Sequence, residues 1–274
     1  MLKNEKLTIY FIKIWVPKED GIRSGDSSFL IAPNGENLLL DCGSPSTYKQ
    51  IIPLLKELKV KKIDNLLISH PHIDHLGSFP KIADEFKIGK VYRSKIECQF
   101  SKYYRAFEKA CDKHKLDVVY IGEGDKLEFG NEIKINILNP VYPVKYPENY
   151  INNNIAFLNN ESIVAQFIYG NSKVLFGGDL YKEGENLILE KYGNSIKSDI
   201  AKVNHHGDET SNSKKWIEVL KPQVVVDMDD GICSEIVYKD YMESGSNYYS
   251  TFSSGIVKVQ VDKNHKVNVT TQFK

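Results

Sequence analysis

Apolar positions along this chain recur with two periods, and segments of the two kinds alternate. Period-two or continuous apolar runs predict strands at Leu7–Val16, Ser27–Ile31, Asn37–Leu40, Leu66–Ile68, Lys90–Tyr92, Asp117–Ile121, Lys126–Phe129 and Ile133–Leu138. Others follow at Ser162–Tyr169, Lys173–Phe176, Asp199–Val203 and Gln223–Asp227, and Ile256–Val261 with Lys266–Thr270 closes the chain as a hairpin. Helical spacing runs through Tyr48–Lys59 (Ile51, Ile52, Leu54, Leu55, Leu58), Leu76–Phe86, Phe100–His114, the stretch after Asp179 as far as Tyr192, and Ser211–Leu220. Pro33-Asn34-Gly35, Gly130-Asn131 and Gly170-Asn171 supply the turns that join strands into hairpins. Pro17–Gly25 reads as a polar loop. Pro140–Asn154, rich in Pro, Tyr and Asn, reads as a long loop, more in keeping with a packed surface loop than with a pocket wall. No repeat or flexible linker divides the chain. One domain over residues 1–274 is expected, α/β in class, with two sheets face to face and helices outside.

Composition narrows the function. Of 274 residues 41% are apolar, enough for a sizeable core, and Lys+Arg equals Asp+Glu at 36 each. A dedicated nucleic-acid binder shows a basic excess; the absence of one disfavours long nucleic acid and leaves a small molecule or small phosphodiester as the expected partner. The four cysteines are scattered, with no C-x-x-C pair, so neither a disulfide framework nor a zinc ribbon is indicated. The N-terminus has no secretion-signal layout, and its apolar run is too short to span a bilayer. A soluble cytoplasmic protein with no membrane partner is the expectation; oligomeric state is left open.

The chemistry concentrates in Leu66–Phe79, LLISHPHIDHLGSF. His70, His72, Asp74 and His75 form H-x-H-x-D-H between an apolar strand and a helix. In an extended segment alternate side chains share a face, so His70, His72 and Asp74 can address one ion while His75 swings toward a second. Imidazole and carboxylate suit zinc, and also take iron or manganese. Two further strand ends carry polar groups: Gly177-Gly178-Asp179 and Asn204-His205-His206-Gly207. α/β folds place chemistry at the carboxyl ends of strands, so the three segments are expected to converge at one edge, where an Asp between two ions can bridge them with its two oxygens. Asp41, at another strand end, either accepts from a ligand histidine or caps the next turn. Cys42 reads as a buried filler, and His114 as a helix-terminal charge. Asp227, Asp229 and Asp230 read as an acidic rim.

These motifs, in this order, resemble the metallo-β-lactamase superfamily. Within it they resemble the branch typified by the metallo-hydrolase domain of the bacterial competence DNA-uptake channel. Gly25-Asp26-Ser27, Leu39–Gly43, Ser69–Gly77, Asn159–Val164, Gly177–Asp179, Lys202–Gly207 and Thr251–Ile256 carry the likeness. The resemblance implies a four-layer αββα sandwich and a metal-dependent hydrolase working through a metal-bound hydroxide. It implies that His70 and His72 hold a first ion, Asp74 and His75 a second, and that Asp179 bridges. One of His205 and His206, with His206 preferred, completes the second site, and the other contacts the substrate. Asp74, His205 and His206 are the expected catalytic residues, and two divalent ions, zinc foremost, the expected cofactors. Between the signature and Asp179 many relatives place one more histidine; here substrate, Asn160 or Ser162 is expected to fill its place. A phosphodiester is preferred as substrate. A carboxylic ester, lactone or amide is the alternative, and a non-catalytic metal-dependent binding module a more remote one.

Overall fold

The structure, a computed structural model, describes residues 5–16, 18–22, 24–152, 154–231 and 233–273. Pro17 and Arg23 of the expected polar loop, and Asn153 of the expected 140–154 loop, lie outside these. In chain order the strands are β1 (Leu7–Phe11), β2 (Ser28–Ile31), β3 (Asn37–Leu40), β4 (Lys62–Leu67), β5 (Lys87–Arg93), β6 (Asp117–Tyr120), β7 (Lys126–Phe129) and β8 (Ile133–Asn139). They continue as β9 (Val164–Tyr169), β10 (Ser172–Phe176), β11 (Ile200–Lys202), β12 (Val224–Asp227), β13 (Asn247–Ser250), β14 (Val257–Val261) and β15 (Val267–Thr271). One sheet has the order β15-β14-β1-β2-β3-β4-β5-β6, the other β13-β12-β11-β10-β9-β8-β7.

Side-chain alternation sorts each strand between two neighbours. Leu7, Ile9, Phe11, Leu38 and Leu40 of the first sheet meet Phe129, Ile135, Phe167, Val174 and Phe176 of the second in one buried layer. The opposite parity of the first sheet (Phe29, Leu39, Leu66) packs on helices Tyr48–Glu57, Phe79–Glu85 and Lys102–Lys113. Val164, Leu175 and Ala201 of the second pack on helices Lys182–Tyr192 and Lys214–Leu220. The result is the expected four-layer αββα sandwich. Among the described residues no helix is long and apolar enough to cross a membrane.

Several elements differ from their sequence outlines. The first strand stops at Phe11, and Ile12 and Ile14 beyond it continue on the helical layer that Tyr10 faces. The helix expected over Leu76–Phe86 is two short helices, Ile73–Leu76 and Phe79–Glu85, with Pro80 in the first turn of the second. Helix Glu235–Glu243 and β13 lie outside the expected elements; Ser234 starts that helix, its Oγ accepting from the N–H groups of Ile236 and Val237. The tyrosines of the long loop tie it down: Tyr142 Oη accepts from Lys95 N (2.6 Å) and Tyr146 Oη from Glu97 N (3.1 Å), as a packed surface loop requires.

For function the decisive feature is parallel pairing. β3 pairs with β4, and β10 with β11 and β11 with β12, in parallel. Their carboxyl ends therefore fall at one edge of each sheet. Ile163 N donates to Ser69 O (2.8 Å), which joins the start of β9 to the loop after β4 across the sandwich.

Candidate metal centre

The loop after β4 does not stay extended. It bends at 69–71, and His72 precedes the single-turn helix Ile73–Leu76. Strand parity therefore ends before Asp74. His70 and His72 face each other, Nε2 to Nδ1 at 2.8 Å, and Asp74 lies beside His75 with His72 still within reach of its charge.

Across the sandwich, β10 runs into Gly177-Gly178-Asp179. A Cβ on Gly177 would lie 2.2 Å from Asn204 Oδ1, so only glycine lets the loops after β10 and β11 touch. After β11, His205 (φ 45°) and His206 (φ 50°) are consecutive left-handed residues, a strain of about 1–3 kcal/mol each. The buried Glu185 carboxylate holds this loop, accepting from Asn204 Nδ2 (2.9 Å), Asn212 N (2.6 Å) and Ser213 N (2.8 Å). Asn204 and Asn212 add a reciprocal pair at 3.0 and 2.9 Å.

One group of donors is compact. His75 Nε2 lies 3.2 Å from Asp179 Oδ2 and 3.8 Å from Asp74 Oδ2. His206 Nε2 lies 3.5 Å from Asp179 Oδ2 and 3.4 Å from Asp74 Oδ2. The far nitrogen of each ring is engaged: His75 Nδ1 donates to Asp41 Oδ2 (2.9 Å) and His206 Nδ1 to the Met228 carbonyl (2.7 Å). Those bonds fix the tautomers and aim both Nε2 atoms at the carboxylates. Asp41 is itself fixed by Ser69 N (2.7 Å) and Ser69 Oγ (2.8 Å). Its expected role of accepting from a ligand histidine is the observed one.

A divalent ion fits this group. His206 Nε2 is buried and has no hydrogen-bond partner, and separations of 3.2–3.5 Å match ligands about 2.0–2.2 Å from a shared ion. Asp26, His75, Asp179 and His206 also lie within 4.8 Å of one another. Asp26, however, faces the Nδ1 sides of the imidazoles, 4.0 Å from His75 and 3.3 Å from His206, and its Oδ2 pairs with Lys202 Nζ. It stands behind the ligands, and Asp74 stands in front. The second group is smaller: His70 and His72, with His70 Nε2 3.9 Å from Asp179 Oδ2. His70 Nδ1 is within 3.1 Å of Ser69 Oγ, and His72 Nε2 is buried without a hydrogen-bond partner.

Charge is dense here. Burial alone would lower the His75 and His206 pKa values, but Asp179, with Asp41 and Asp74 beside His75 and Asp26 beside His206, holds both well above the imidazole range. Burial opposes ionisation of Asp74, yet the neighbouring imidazoles bring it to about 2 and also keep Asp179 well below the carboxylate range. Burial raises Asp41. Lys202 is 2% exposed and stays charged, because Asp26 and Asp179 outweigh the cost of burial.

The structure thus brings His70, His72, Asp74, His75, Asp179 and His206 together. His205 stands beside them: its Nδ1 donates to Thr210 Oγ1 (2.7 Å), Thr210 donates to Asp208 Oδ1 (2.8 Å), and its ring packs 4.9 Å from Tyr181. Asn160 and Ser162, expected to fill the missing-histidine position, both accept backbone hydrogen bonds, Ser162 from Asp179 itself. Asn160 Oδ1 accepts from Gly184 N and Ser162 Oγ from Asp179 N, each at 3.2 Å. His114 bonds to Asp84 (2.8 Å), away from the centre. Cys42 is fully buried, as a filler is. The acidic rim is also corrected: Asp227 is 0% and Asp229 4% exposed, since the end of β12 turns inward under Gly207. Sequence reasoning held Asp26 and Lys202 only as members of the Gly25-Asp26-Ser27 and Lys202–Gly207 motifs, with no role of their own, and did not single out Glu185. A further signal existed for Lys202, a charged residue within the otherwise apolar Ile200–Val203.

Comparison with known proteins agrees with the fold. ComE operon protein 3 of Bacillus subtilis (strain 168) is 26% identical over 222 residues, covering 75% of this chain but only 27% of that relative. CmlA, a diiron beta-hydroxylase from Streptomyces venezuelae, superposes with a TM-score of 0.57 at 13% identity, over 97% of this chain and 54% of CmlA. Zn(2+)-bound PqqB from Methylobacterium extorquens gives 0.53 at 9% identity, over 89% and 97%. At such identities the two structures speak for the fold alone. Residues 22–152, which include His70–His75, match the sequence model described as "Metallo-beta-lactamase superfamily". Residues 22–152 thus carry the metallo-β-lactamase superfamily match, and the chain has the metallo-β-lactamase fold.

Proposed function

We propose that this domain is a metal-dependent hydrolase acting on a phosphodiester, a small one in preference to long nucleic acid. One observation carries the reading. Two imidazole Nε2 atoms from opposite sheets, His75 and His206, converge on the carboxylates of Asp74 and Asp179 while their Nδ1 atoms are tied back. Asp74, His75, Asp179 and His206 would hold one ion, and His70 and His72 with Asp179 another. Bound there, divalent ions supply Lewis acidity and a water that ionises near neutral pH. Imidazole and carboxylate donors make zinc our first assignment, with manganese or iron as alternatives.

The chain's own residues do the rest. Asp74 and Asp179 gather positive charge at the cleft floor. Asp208 and Thr210 orient His205, whose Nδ1–H is committed to Thr210 and whose Nε2 is left for a reacting oxygen. Burial of Asp227 and Asp229 removes most of the acidic rim that would repel a phosphodiester. Similarity to ComE operon protein 3 of Bacillus subtilis (strain 168) and to Competence protein ComA of Neisseria gonorrhoeae accords with the branch resemblance on which the substrate preference rests.

The test is direct. EDTA-treated protein should lose hydrolysis of bis-p-nitrophenyl phosphate, and added Zn²⁺ or Mn²⁺ should restore it, beside p-nitrophenyl esters and lactones as controls. Preferential turnover of the esters or lactones would move the assignment to a carbonyl substrate. Tight stoichiometric metal with no hydrolysis of either class would make the domain a binding module. Activity that survives chelation would end the metal mechanism.

A further inference from the structure

Asp179 presents one oxygen to three imidazoles of the centre. Its Oδ2 lies 3.2 Å from His75 Nε2, 3.5 Å from His206 Nε2 and 3.9 Å from His70 Nε2. Its Oδ1 is buried, accepts no hydrogen bond and forms an ion pair with Lys202 Nζ at 3.5 Å. The ammonium is itself immobilised. It donates to the Gly178 carbonyl (3.0 Å) and pairs with Asp26 Oδ2. Asp26 is held in turn, its N–H bonded to Asp74 O (3.1 Å) and its carbonyl to Gly43 N (2.7 Å). The Asp179 backbone is pinned by Ser162 Oγ (3.2 Å).

We infer that Lys202 is a positioning residue: its fixed ammonium reserves the Oδ1 edge of Asp179, so that Oδ2 alone is offered to both ion-holding groups. This rests on the metal-site reading above and goes beyond it. A carboxylate free to rotate would offer one oxygen to each group, as the sequence suggested. Tethering one edge removes that choice before any ion arrives, in the way residues behind metal ligands fix the orientation of those ligands. It also explains a buried lysine beneath a cation site, where a charge of that sign would otherwise repel the cofactor. Paired to Asp26, it adds no net charge of its own.

The experiment compares cobalt(II)-loaded wild type, Asp26→Asn, Lys202→Met and the double variant Lys202→Met/Asp26→Asn. The double variant removes the pair as a unit, which buried ion pairs tolerate when volume is kept, and it stands in should Lys202→Met alone fail to fold. Far-UV circular dichroism checks the fold, and titration gives the affinity for each ion. The visible d–d spectrum and magnetic coupling of the two-ion form report how Asp179 bridges. Asp26→Asn, which loosens the ammonium and leaves its charge uncompensated, should also shift the spectrum, by no more than the Lys202 variants do. Both Lys202 variants should shift it and bind the second ion about tenfold or more weakly. A folded Lys202 variant with wild-type spectrum, coupling and affinities within twofold would overturn the inference. Wild type that takes up no cobalt would instead overturn the metal-site reading and this inference with it.

Discussion

Replacing Asp41 with asparagine should weaken metal binding without touching a ligand. The carboxylate accepts three hydrogen bonds, from Ser69 N (2.7 Å), Ser69 Oγ (2.8 Å) and His75 Nδ1 (2.9 Å). An amide has one oxygen and one NH₂. With the oxygen kept on Ser69 N, the NH₂ meets the His75 N–H, donor against donor. The ring relieves this by giving up its Nδ1 proton and keeping the one on Nε2, the atom 3.2 Å from Asp179. A ligand needs a lone pair there, so each binding event must first reverse the tautomer. Loss of such a supporting partner costs about 10–100-fold in metal affinity, or about 1.4–2.8 kcal/mol. Competition of the metal-free protein with a fluorescent zinc chelator would read this, with a thermal melt to show that Asp41→Asn is folded. A folded variant whose affinity lies within twofold of wild type would refute the tautomer argument.

Other consequences follow from the same geometry. His206→Ala should lose metal and activity together, while His205→Ala should keep its metal and lose about 10²-fold or more in kcat; equal metal loss in both, read by elemental analysis, would contradict the division of roles. Because carboxylates hold His75 and His206 well above the imidazole range, the metal-free centre carries protons that an ion must displace. Apparent affinity should therefore rise with pH, and calorimetry in buffers of different ionisation enthalpy should count about two protons released; release of none would speak against it. Burial lifts the Asp227 carboxyl to about 7 from an ordinary 3.8. A raised carboxyl contributes stability that is present below pH 4 and lost as pH rises through about 7, a swing on the order of 4 kcal/mol. Urea unfolding of Asp227→Asn should show that slope removed and the protein stabilised at pH 8 relative to wild type; parallel stability–pH curves would count against it.

Much of this centre is legible in the chain. H-x-H-x-D-H after an apolar strand names four donors within six residues, and local spacing of that kind survives any tertiary arrangement. Asp179 and the His205-His206 pair are legible as polar residues at the ends of apolar strands, because a strand buried on both faces can show polar groups only where it leaves the sheet. The acidic run at Asp227–Asp230 was not legible: its composition suggests a surface, and its first member is fully buried.

What the sequence determined by itself was the layer pattern and the inventory of donors, both written in local periodicity and residue type. Which donor belongs to which group was decided by the tertiary structure. His205 and His206 are the same residue in the same backbone conformation; only the Met228 carbonyl, delivered by β12, gives one ring its free Nε2 among the carboxylates. Lys202 likewise acquires its role from Asp26, brought to it from the far sheet. Such pairings join segments distant in the chain, and their energy exists only once two sheets have excluded water from the space between them.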